Sequence, residues 1–172
     1  ADGFGVEGKN GAGTGEKFGI NNDIDIYFGS FSKAFASLGG FISGPEYIMT
    51  YLRYHSRAQI HSKALPIVYV LGMITRLEFL SKNSKLKTEL HKKVKYFREQ
   101  LKKNKFDTGN SEACVLPIYL PSTIYQALNI VMDLRENYNI FCPVLVYPFI
   151  AKNQLLLRFI PTVLHTKEDI DY

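Results

Sequence analysis

Residues 65–103 constrain the fold more than any other part of this sequence. The segment "LPIVYVLGMITRLEFLSK", residues 65–82, is apolar on nearly every side of a helical wheel, which predicts a largely buried helix. "SKNSKLKTELHKKVKYFREQLKKNK", residues 81–105, has a different pattern. Leu86, Leu90, Val94, Phe97 and Leu101 recur at helical steps and form one apolar stripe. The same segment holds ten of the 21 Lys and Arg residues, so its lysines are expected to face water. Two long helices therefore occupy the middle of the chain, and the first needs cover on every side.

The flanking segments differ in kind. On the N-terminal side, "DIDIYFGSFS" reads as a buried strand running into a turn and "GGFISG" as a second short strand, with Gly39 and Gly40 between them. "PEYIMTYLRYHSRAQIHS" follows as a helix opened by Pro45, with Ile48, Tyr51, Leu52 and His55 at helical spacing. On the C-terminal side, "EACVLPIYL" is a strand whose Pro117 makes it either a sheet edge or irregular. "STIYQALNIVMDLRENY" is an amphipathic helix capped by Ser122 or Thr123, and "IFCPVLVYP" and "LLLRFIPT" are further strands. This pattern predicts an α/β chain in two parts: residues 1–74, the end of a large α/β domain with a linking helix, and residues 75–172, a small α+β domain.

The totals, 172 residues with 46% hydrophobic and 22% charged, suit a folded chain. No apolar run reaches the roughly 20 residues of a membrane helix, and no signal-peptide pattern opens the sequence, so a cytoplasmic protein is expected. Ala1 stands where a Met would begin a chain, and "HTKEDIDY" reads as the start of a helix, with Thr166 and Asp169 set to cap it. A fragment of a larger protein is the expectation. Cys114 and Cys142 lie in apolar runs and are expected to be reduced and buried. His55, His61, His91 and His165 form no pair at metal spacing, so no metal site is expected. The net charge of +5 comes largely from the lysine-rich helix, which is read as a solvated face rather than a nucleic-acid site.

The chemistry concentrates around Lys33 in "GSFSKAFASLGG". A lysine desolvated at the end of a buried strand loses its preference for the charged form and becomes an amine able to bond a carbonyl carbon. Ser30 and Ser32 offer hydroxyls to phosphate oxygens, and Gly39 and Gly40 leave room for close approach of backbone. A lysine-bound phosphorylated aldehyde fits this set, as does a plain solvated turn.

That segment resembles the cofactor-lysine segment of the α-oxoamine synthases, a family of pyridoxal-phosphate-dependent enzymes of fold type I. Gly5, Gly8, Gly11 and Gly13 in "GVEGKNGAG" resemble the family's glycine ladder, and "HSKALP" resembles its Ser-x-x-Leu-Pro turn. "VYPFIAKNQLLLRFIPTVLHTKEDID" resembles its closing segment. The chain looks like the C-terminal part of such an enzyme, nearest to the bacterial serine palmitoyltransferase, 2-amino-3-ketobutyrate CoA ligase and 8-amino-7-oxononanoate synthase branches.

The resemblance implies that Lys33 carries pyridoxal 5'-phosphate and moves the Cα proton, that Ser30 and Ser32 hold the cofactor phosphate, and that Ser62 reaches the phosphate of a neighbouring subunit in a homodimer. It implies that Arg158 grips the amino-acid carboxylate, for which a planar guanidinium suits two-point contact. The implied reaction condenses an amino acid with an acyl-CoA, releasing carbon dioxide and giving an aminoketone for a sphingolipid- or biotin-type pathway. Asp2 stands where the family has a histidine at the cofactor's ring oxygen, and Lys63 replaces a small residue. The aspartate expected at the ring nitrogen is not in the chain, so the fragment alone is expected to be inactive. An aminotransferase of the same fold and a catalytically silent partner subunit remain open as alternatives.

Overall fold

In a computed structural model of the chain, which describes residues 3–172, the molecule divides into two compact units, one ending at Lys87 and the other spanning Thr88–Tyr172.

The first unit opens with a glycine-rich loop and a short helix, α1 (Thr14–Phe18), followed by one 3-10 turn at Asn21–Asp23. Strands β1 (Tyr27–Ser30) and β2 (Gly40–Ser43) pair antiparallel, with Ser30 opposite Gly40 and Tyr27 opposite Ser43. Helix α2 (Glu46–His55) begins one residue after Pro45, whose extended backbone caps it from outside the first turn. Ser56 is extended and breaks the expected single helix into α2 and α3 (Arg57–His61).

Helix α4 (Ile67–Lys82) forms where the apolar run predicts it, but its burial differs from the expectation. Met73 is its one buried residue, while Ile67, Val68, Leu71 and Phe79 are exposed. Apolar composition makes the helix require cover, and the described residues do not supply it on most sides.

Helix α5 (Ser84–Lys103) runs into the second unit and turns its predicted stripe inward. Val94 and Leu101 are buried, and Leu90 and Phe97 pack against the same core. That core is completed by Leu116, Ile118, Cys142 and Leu157. Strands β3 (Leu116–Tyr119), β4 (Val144–Leu145) and β5 (Leu156–Phe159) form an antiparallel sheet in the order β3-β5-β4. β3 is an edge strand, as Pro117 predicts. Pro117 stands opposite Arg158, the Arg158 N–H donates to the Pro143 carbonyl, and the Tyr119 N–H donates to the Asp107 carbonyl.

Helix α6 (Ile124–Tyr138) starts with a capping box: Thr123 accepts from the Gln126 N–H while the Gln126 side chain accepts from the Thr123 N–H. Asn139, in the left-handed region at φ 55°, ends it. A second capping box, Thr166 with Asp169, opens the final helix α7 (Lys167–Asp171). Among the described residues no helix is long and apolar enough to cross a membrane.

Candidate active site

Lys33 sits on a tight turn between β1 and β2. Three backbone hydrogen bonds shape this turn: Phe31 N–H to Gly39 O at 3.0 Å, Ser37 N–H to Phe31 O at 2.8 Å, and Ala36 N–H to Lys33 O at 3.0 Å. The last holds Ala36 at φ 45°, a conformation that an alanine adopts only when its surroundings impose it. Phe35 roots the turn. It is 3% exposed and meets Phe4 at 4.7 Å and Phe31 at 6.3 Å between ring centroids, and Phe41 completes the aromatic cluster at 5.2 Å from Phe4. The lysine is thus carried on a rigid support.

The hydroxyls of Ser30 and Ser32 converge at 2.7 Å, and the Ser32 N–H donates to Ser30 Oγ at 3.3 Å. The structure therefore brings Ser30, Ser32 and Lys33 together. Two hydroxyls beside a primary amine fit a phosphorylated aldehyde, the first as phosphate donors and the second as nucleophile. Ser37, in the same turn, has a buried hydroxyl with no hydrogen-bond partner among the described residues. No sequence pattern singled it out, because an unsatisfied hydroxyl is visible only after packing.

One expectation is corrected here. Lys33 is exposed rather than desolvated, because β1 belongs to a two-stranded sheet and no second layer of described residues covers the strand end. Gly39 and Gly40 permit the close approach expected of them. A Cβ on Gly39 would meet Leu65 Cδ1 at 2.7 Å and one on Gly40 would meet Gly29 O at 2.5 Å, so both glycines admit the protein's own chain. Through the first of these contacts the turn "HSKALP" lies against the loop that follows Lys33.

Ser62 caps the end of α3 and is exposed, and it has no hydrogen bond to Ser30 or Ser32. Arg158 belongs to the second unit. It lies half-buried on β5, on the opposite strand face from Leu157, and its guanidinium makes no hydrogen bond or ion pair among the described residues. Asp2 lies outside the described residues. Among the described residues no group of His, Cys, Asp and Glu is arranged to hold a metal.

The glycine ladder is an ordered structure. Glu16 is half-buried and accepts from the Asn10 N–H at 3.0 Å, the Asn10 side-chain amide at 2.6 Å and the Ala12 N–H at 3.1 Å. Lys87 donates to the carbonyls of Gly8 and Lys9. Loss of contact with water pushes the Glu16 carboxyl up, but the Ala12 and Asn10 donors and the Lys87 charge outweigh that, holding it below the ordinary value of 4.5.

Residues 3–172 match the family described as aminotransferase class I and II, and the chain belongs to that family. Within it, the relatives the chain resembles are α-oxoamine synthases. It is 43% identical to the cysteate-C-fatty acyltransferase of Capnocytophaga ochracea over 99% of this chain and 41% of that one. It is 36% identical to the 8-amino-7-oxononanoate synthase of Thermoanaerobacter pseudethanolicus over 97% of this chain and 42% of that one. A solved serine palmitoyltransferase variant from S. paucimobilis, carrying a pyridoxal phosphate–myriocin adduct, shares the fold with a TM-score of 0.90 at 24% identity, over 99% of this chain and 43% of that one. The chain thus spans about two fifths of the length of these relatives and has the fold of the C-terminal part of fold-type-I pyridoxal-phosphate enzymes.

Proposed function

We propose that the protein carrying this chain is a pyridoxal-phosphate-dependent α-oxoamine synthase that condenses an amino acid with an acyl-CoA and releases carbon dioxide. The observation that carries this reading is the turn in which the Ser30 and Ser32 hydroxyls converge, with Lys33 the next residue in the chain. Pyridoxal phosphate, when bound, supplies an electron-withdrawing ring that weakens the bonds at the amino acid's α-carbon.

This chain's residues supply the rest. Ser30 and Ser32 donate hydrogen bonds to phosphate oxygens. Lys33 would hold the aldehyde carbon, and its amine, once replaced there by the amino acid's own amine, would take the Cα proton and later return one. Arg158 binds the amino-acid carboxylate, a role supported by its uncommitted guanidinium. The same proposal includes a cytoplasmic homodimer, in which exposed Ser62 reaches the phosphate held by the neighbouring subunit. Likeness to a cysteate-C-fatty acyltransferase makes cysteate and a fatty acyl-CoA the first pair to assay, ahead of serine, glycine and alanine.

The test uses the complete protein. Pyridoxal phosphate should give an absorbance band near the visible, and borohydride should fix the cofactor to Lys33, as read by peptide mass. Thiol release from acyl-CoA should follow addition of the right amino acid. Covalent fixation that persists in Lys33→Ala overturns the reading, while formation of a keto acid without thiol release would make the protein an aminotransferase.

A further inference from the structure

We infer that Glu16 is a positioning residue for Lys33, acting through the glycine-rich loop. The inference rests on the reading of Lys33 as the cofactor-binding amine. The path is short and each link is a contact. The Glu16 carboxylate gathers the N–H groups of Asn10 and Ala12 and the Asn10 side chain, which fixes residues 10–12. Gly8 makes this possible, since a Cβ there would collide with Glu16 Oε2. Within the fixed segment, Gly11 O accepts from the Gly5 N–H at 2.8 Å. Gly5, at φ 85°, lies directly against the residues that follow Lys33. A Cβ on it would fall 2.9 Å from Ala34 Cβ and 3.2 Å from the Phe35 ring.

The loop therefore presses on the Lys33 turn from below, and Glu16 sets where the loop sits. Two further ties hold the same loop. Lys87 binds the Gly8 and Lys9 carbonyls, and buried Glu7 pairs with Lys17 at 3.2 Å. A carboxylate at the centre of converging backbone donors is the stronger clamp, because hydrogen bonds to a charged acceptor exceed neutral ones. Glu16 touches neither substrate nor reacting atoms, so its effect is on the placement of the Lys33 amine.

The experiment measures two quantities in the complete protein. Amide exchange at Asn10 and Ala12 is followed without cofactor, and the rate of capture of pyridoxal phosphate on Lys33 is followed by borohydride fixation and peptide mass. Glu16→Ala should speed exchange and slow capture, each on the order of tenfold, with the thermal midpoint nearly unchanged. Glu16→Gln restores a carbonyl acceptor and should recover capture to within about threefold. If Glu16→Ala does not fold, Lys87→Met loosens the other tie and should move both quantities in the same directions by about threefold. Faster exchange with unchanged capture overturns the inference, as does unchanged exchange. Fixation that survives Lys33→Ala overturns the Lys33 reading instead, and the exchange result then describes a loop clamp with no bearing on chemistry.

Discussion

Residues 88–172 enclose Leu116 and Cys142 completely and bury six further apolar side chains, whereas among the described residues up to Lys87 only Phe35 and Met73 are buried apolar side chains. Yet the first unit holds the Lys33 turn. The second unit gathers its core from α5, the sheet and α6, each laying one apolar face on the others. The first unit spends its closest packing on one place, the aromatic cluster under Phe35, and leaves α4 largely uncovered. Rigidity at a reactive group thus does not require a large core around it. A few aromatic contacts and a pinned loop can hold one turn.

This contrast can be broken by substitutions on either side. The largest effect is expected for Lys33→Ala, which should reduce turnover by 10³-fold or more, on the order of what a positioned nucleophile and proton carrier supplies, without moving the urea midpoint. A midpoint that drops with activity would make Lys33 a structural residue. Leu116→Ala should do the reverse, costing about 2–5 kcal/mol of unfolding free energy by leaving a cavity in the closed core, with residual activity following the folded fraction. Arg158→Ala should raise the amino-acid KM by about 10- to 100-fold while cofactor binding holds, since one charged two-point contact is lost. Unchanged KM would remove the carboxylate role.

Smaller effects sharpen the picture of the second unit. Thr123→Ala removes the N-cap of α6 and should cost about 1 kcal/mol in urea unfolding. The last prediction concerns pH. The Asp169 carboxyl accepts from the Thr166 N–H at 2.7 Å, and this bond, aided by the Thr166 hydroxyl, holds it below the ordinary aspartate value of 3.8. A carboxyl with a lowered folded value stabilises the fold fully above its unfolded value, and that contribution fades as pH falls through the folded one. The α7 cap should therefore persist down past pH 3.8, as read from the NMR titration of Asp169, and an ordinary titration there would contradict the cap.

Much of the second unit was legible because its signals are local. The stripe from Leu86 to Leu101, the Thr166–Asp169 box and Pro117 at an edge each depend on a few neighbouring residues, and the structure bears out the box, the edge and the stripe from Leu90 onward. The break at Ser56 was not legible, since the apolar spacing continues across it and only backbone geometry reveals the extended residue. Burial of α4 and of Lys33 failed for a different reason. Apolar pattern reports that a surface requires cover and says nothing about which residues provide it. In the candidate site, Ser30, Ser32 and Lys33 were readable as neighbours in sequence. Glu16 and Lys87 were missed, because each acts on a loop's backbone, and carbonyl and amide directions leave no trace in side-chain pattern.

The register of Pro117 has one more consequence. Because the Arg158 N–H points toward Pro143, the residue opposite it on β3 turns its backbone to the outer border of the sheet, where Pro117 has no N–H to offer. Tyr119, the next residue with that orientation, has already given its N–H to Asp107. An incoming extended peptide would find no donor at either position. At these two positions the β3 border offers a strand only acceptors, which weakens it as a template for pairing.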